Sequence, residues 1–127
     1  MKHNKLFSLL LIIICFSVIT SPALCIGDVD WILLKENQDG KEWLDLGSIK
    51  RINQNEVSVL TRFTEKSKQG NEDGKTNLYV MRINCVNKQF KDTSTNGLPN
   101  LFSKWQNSNN DELIDVVIQK SCDVEVQ

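Results

Sequence analysis

Histidine is almost missing from this chain. Its single histidine is His3, inside a segment that reads as an export signal, so the expected mature protein has none. That excludes Ser-His-Asp and Cys-His catalysis, histidine-ligated zinc and histidine-ligated haem together. No Asn-x-Ser/Thr sequon occurs among the many asparagines, which leans toward a bacterial source. Close Cys-x-x-Cys spacing is absent too, so the cysteines outline no compact metal site. The longest apolar run, residues 6–19, has 14 residues and falls short of a membrane span. Nor is charge one-sided. There are 15 basic and 16 acidic residues, and without Lys2 and Lys5 the balance is three negative. A mildly acidic product lacks the footprint of a nucleic-acid binder.

What is present begins with a processing segment. Lys2, His3 and Lys5 form a positive start, an apolar run follows, and Ser21-Pro22-Ala23 offers small residues for a cut after Ala23. This is the pattern of a secretory signal peptide over residues 1–23. A buried core helix is the alternative, disfavoured because the run has no polar face. Residues 24–127 then form a single domain with room for one modest core. Cys25 raises lipoprotein processing as a second option, but Pro22 and Leu24 make a poor lipobox. The expected location is periplasm or cell surface, with no transmembrane segment after cleavage and lipidation of Cys25 the lesser possibility.

Cys15 leaves with the signal. An oxidising compartment favours pairing among Cys25, Cys85 and Cys122. Cys85 and Cys122 lie in patterned segments and Cys25 does not, so Cys85–Cys122 is the expected disulfide. A loop of that length is worth about 4 kcal/mol in the chain-entropy view. A catalytic thiol would lack an activating histidine.

Along the mature chain, residues 30–36 read as a strand, Asn37-Gln38-Asp39-Gly40 as a hairpin turn and residues 41–46 as the returning strand. A break at 45–48 and an extended piece at 49–52 follow. Residues 56–65 alternate, with Val57, Val59, Thr61 and Phe63 on one face. Residues 66–75 are polar and glycine-bearing, hence a long hairpin loop. Residues 76–90 read as one bent strand with Tyr79, Met81, Ile83 and Cys85 on the core face. Residues 91–100 read as loop and 101–106 as a short strand carrying Trp105. Leu113, Ile114, Val117, Ile118 and Cys122 then repeat at helical spacing. Asn109 with Glu112 offers a capping box for that helix. The fold class is therefore α+β: an antiparallel sheet with a C-terminal helix packed on it and tied by a disulfide.

The order of features resembles the surface-adhesin protein E family of bacterial exported proteins. The resemblance is carried by Asp30-Trp31-Ile32-Leu33, by the D-x-x-S-I element Asp45-Leu46-Gly47-Ser48-Ile49, by Val57-Ser58-Val59, by the tyrosine strand Tyr79 to Cys85, and by Trp105 ahead of a helix ending at Cys122. It spans about residues 30–123. It implies the same sheet, helix and cysteine tie. It also implies an envelope protein that binds host extracellular-matrix and plasma proteins, and haem.

The remaining candidates each have a plain reading beside the sharp one. Trp31, Trp43 and Trp105 form either an aromatic platform or packing anchors, the latter favoured. Asp45 and Ser48 are expected to satisfy backbone groups at a strand-to-strand turn, with Ile49 beside them. Tyr79 and Met81 are the residues left to ligate haem iron, but their core-face position favours packing. Lys66, Lys68 and Lys75 are offset by Glu65, Glu72 and Asp73 and read as a solvated loop. No carboxylate pair has a spacing that selects it as catalytic. The expected function is thus a non-enzymatic exported binding module, without a cofactor, with a protein partner such as a host matrix protein. A small haem or apolar-ligand carrier and a carboxylate hydrolase are the alternatives. Open sheet edges allow a dimer.

Overall fold

The computed structural model describes residues 28–68 and 73–124. The signal segment and Cys25 lie outside the described residues, as does Glu72 of the expected loop. Seven strands form one antiparallel sheet: β1 (Trp31–Glu36), β2 (Gly40–Arg51), β3 (Glu56–Lys66), β4 (Asp73–Asn84), β5 (Gln89–Thr95), β6 (Leu98–Pro99) and β7 (Gln106–Asn107). They run in sequence order from β1 to β6, and β7 pairs with β5. Helix α1 (Glu112–Asp123) packs against β1, β2, β3 and β4. Sheet, helix and disulfide are all as the sequence indicates.

Alternation decides which face is buried. In β3, Val57, Val59 and Thr61 are almost fully covered, while Ser58, Leu60 and Arg62 are half-exposed. Leu44, Met81 and Ile83 join them from β2 and β4, and Phe90 from β5. Val117 and Ile118 close this core from the helix. Burying a side chain of that size is worth roughly 1.5–3 kcal/mol. Among the described residues, the opposite face of the sheet carries no helix.

The Asn37–Gly40 turn forms as expected. The Asn37 side chain accepts from the Asp39 and Gly40 amides at 2.9 and 3.2 Å. Gly40 is required for a further reason, since a Cβ there would stand 2.2 Å from the Thr64 carbonyl oxygen.

Several boundaries differ from the sequence reading. β2 does not break at 45–48. It continues to Arg51 through a bulge in which residues 46–49 stand opposite Val59 alone. The expected strand over 76–90 is two strands, β4 and β5, joined at Cys85–Lys88. There the Asn84 carboxamide accepts from the Val86 and Asn87 amides, and Lys88 takes a positive φ of 55°. Cys85 therefore stands one residue past the end of β4, in the turn and not on the strand. The expected loop 91–100 holds β5, an Asn96-Gly97 hairpin with φ of 50° and 82°, and β6. Both residues tolerate positive φ, which a two-residue hairpin of this twist demands. The expected strand 101–106 is irregular except for Gln106, where β7 begins. The hairpin loop expected over 66–75 is shorter at both ends, because β3 runs to Lys66 and β4 starts at Asp73.

The helix cap is also different. Asn109 and Asn110 both adopt positive φ, at 52° and 66°, and so shape the turn before the helix. Asp111 is the N-cap, accepting from the Leu113 and Ile114 amides at 2.9 and 3.3 Å. A carboxylate suits this position because it also meets the positive end of the helix dipole. Glu112 instead pairs with Lys35 of β1 at 2.6 Å. At the other end, Cys122 is bonded to Cys85. The bond ties the helix end to the β4–β5 turn.

Candidate functional site

The helix-free face is built by strand register. Trp31 of β1 stands opposite Asp45, and Leu33 opposite Trp43. Trp43 in turn stands opposite Arg62, and Arg62 opposite Leu78. Period-two geometry puts all of these on one face. The Arg62 guanidinium lies 4.8 Å from the Trp31 ring centre and 4.5 Å from that of Trp43. It is held between two indoles, each contact worth about 0.5–1 kcal/mol at a partly exposed position. Among the described residues it makes no ion pair, and its Nε is buried without a partner. Leu33 and Leu78 beside it are 46% and 40% exposed. Further along this face, Arg82 pairs with Glu56, and Lys91 lies over the Trp105 ring at 4.7 Å. None of the three tryptophans belongs to the buried core.

Asp45 and Ser48 do satisfy backbone groups, in the bulge of β2. Asp45 accepts from the Asp30 and Gly47 amides at 2.8 and 3.1 Å. The Ser48 hydroxyl donates to the Asp45 carbonyl and accepts from the Leu60 amide at 2.6 and 2.7 Å. The pair thus replaces ladder bonds lost where the register shifts. Ile49 drops into the core.

On the other face, between the sheet and the start of α1, lies a cavity of about 380 Å³. Phe63, Tyr79 and Phe90 give it aromatic walls, with Met81 behind them. Four carboxyl groups also line it: Asp39, Glu42, Asp92 and the helix cap Asp111. Glu42 is 3% exposed. Burial pushes its carboxyl up to about 8, Asp111 and Asp92 push the same way, and the Thr61 hydroxyl opposes them. Burial raises Asp92. Tyr79 is raised mainly by burial and then by Asp92 and Glu42. Met81 is nearly covered, with the Thr61 hydroxyl 3.5 Å from its sulfur, so packing accounts for its place.

Sequence reading overlooked Arg62 and Glu42. The signal for Glu42 was the alternation itself, since Leu44 facing inward carries Glu42 inward with it. For Arg62 the signal was weaker: it lies on the outward face of β3, but its tryptophan neighbours come from other strands.

Among the described residues, no group of three or more His, Cys, Asp or Glu is placed to hold a metal. No helix there is long and apolar enough to cross a membrane. Among the described residues, the antiparallel sheet is thus backed by a helix on one face and shows tryptophan and arginine side chains on the other. The chain belongs to the surface adhesin-E family, whose family model matches residues 32–127. Membership makes it an adhesion-type protein, and implies an exported cell-surface location and a non-enzymatic role. No curated protein and no solved structure matches the chain.

Proposed function

We propose that the protein is exported as a single domain over residues 24–127 and engages a protein partner through the helix-free face of its sheet. The observation that supports this is Arg62, fixed between Trp31 and Trp43 and lacking an ion pair among the described residues. A guanidinium held by two rings has already lost much of its freedom, so little more is lost when it meets a carboxylate in bidentate fashion. Tryptophan and arginine are also the side chains that most often dominate interface energies. Leu33 and Leu78 add apolar area around the charge. The partner fitting this pattern presents a carboxylate between apolar side chains, and matrix proteins of a host are the class to test first. Helix α1 and the disulfide keep the sheet rigid behind that surface.

Protease shaving of intact cells of the source organism tests the location on which this reading depends. Peptides from β3 and β4 are expected in the released fraction while periplasmic markers stay intact. Release only after the outer membrane is broken would place the protein inside and sink the adhesion reading.

A further inference from the structure

The cavity under the start of α1 is on the opposite face from the Trp31–Arg62–Trp43 stack, and the proposed partner surface does not use it. Its chemistry is specific. Phe63, Tyr79 and Phe90 line it, and the face of an aromatic ring attracts a cation held at van der Waals distance. Glu42 lines the same space while almost wholly buried, beside the Thr61 hydroxyl. Among the described residues, no lysine or arginine lines the cavity. A buried carboxyl normally has a cation or several donors facing it; here its surroundings supply further carboxyl groups, Asp92 and Asp111, from β5 and the helix cap. Among the described residues, every ionisable group that lines the space is therefore an acid, and the aromatic walls suit a cation. The volume, about 380 Å³, is at the small end of ligand pockets.

We infer that this cavity is a binding site for a small organic cation, an alkylated ammonium of about the size of choline, held by the walls of Phe63, Tyr79 and Phe90 and by the Glu42 and Asp92 carboxyl groups. The ammonium supplies the positive charge missing from the site. The alkyl groups replace water against the rings. Glu42 gives up its proton when the cation enters, so binding releases a proton near neutral pH and tightens as pH rises. The groups facing it in that titration are Asp39, Asp92, Asp111 and Tyr79.

The test is an NMR titration of the purified mature chain with choline, following the Met81 methyl. The same titration is run with choline's neutral carbon isostere, which has the same shape without the charge. Choline is expected to shift the Met81 methyl saturably, with the isostere at least about tenfold weaker, a difference of about 1.4 kcal/mol. Glu42→Gln, which removes the charge and keeps the shape, is expected to lower choline affinity by at least about tenfold as well. Calorimetry in two buffers of different ionisation enthalpy is expected to show proton release for the wild type and none for the variant. Equal binding of choline and the isostere would overturn the inference, as would a Met81 methyl unmoved by millimolar choline. Arg62 variants leave this titration unchanged, so failure here and failure of the partner surface are read separately.

Discussion

Replacing Glu42 with glutamine is expected to stabilise the protein above neutral pH and to flatten its pH dependence. The wild-type carboxyl has its pKa raised to about 8 by burial, against 4.5 for the free group. The native state keeps a proton that the unfolded chain gives up. The stability this confers is complete below about pH 4.5 and is lost as pH rises through about 8. Across that window the loss approaches about 1.4 kcal/mol per pH unit, or about 3 kcal/mol by pH 7. Asp92 is raised by burial too and adds a slope of the same sign. Glutamine cannot ionise, so the variant escapes the Glu42 share of the loss. Urea unfolding of both proteins, at about pH 5 and about pH 8, measures the difference. Near pH 5 the two are expected to be close; near pH 8 the variant leads by a few kcal/mol. Parallel stability curves, or a variant weaker at both pH values, would show that the Glu42 carboxyl is not held protonated by the fold.

Further perturbations have equally definite outcomes. Removing the disulfide with Cys85→Ala and Cys122→Ala is expected to lower unfolding free energy by about 4 kcal/mol in the chain-entropy view; a loss below about 1 kcal/mol in urea titration would contradict it. Asp111→Ala is expected to cost about 1 kcal/mol through the lost cap, and a thermal midpoint equal to wild type would contradict the cap assignment. Gly40→Ala is expected to destabilise by about 1–3 kcal/mol or more, because its new Cβ meets the Thr64 carbonyl oxygen; a midpoint equal to wild type would show that β2 and β3 part without strain.

Sequence and structure agree where the signal is local and repeated. β3 was legible because Val57, Val59 and Thr61 alternate with Ser58, Leu60 and Arg62, two of them polar, and α1 because Leu113, Val117, Ile118 and Cys122 recur at helical spacing. The turn after β4 was hidden because Cys85 continues the apolar alternation of Tyr79, Met81 and Ile83 past the strand end. Asn84 ends the strand there by accepting two backbone amides. The Asn96-Gly97 hairpin carried its own signal, yet read as a loop because β6 is only Leu98–Pro99. The cap moved from Asn109 to Asp111 since two asparagines with positive φ were needed first to turn the chain. The candidate sites were the least legible. Arg62 meets Trp31 and Trp43 only through the register of β1, β2 and β3. The cavity gathers carboxyl groups from the β1–β2 turn, β2, β5 and the helix cap, positions that no spacing along the chain links.

The helix-free face, centred on Arg62, is the surface proposed to adhere. The direct measurement is adherence to immobilised extracellular-matrix proteins by cells displaying the wild-type protein or Arg62→Glu on an otherwise non-adherent strain. Surface level and disulfide state are checked for both. Wild-type cells are expected to adhere, and the charge reversal is expected to abolish adherence at equal display. Adherence by Arg62→Glu cells equal to wild type would contradict it.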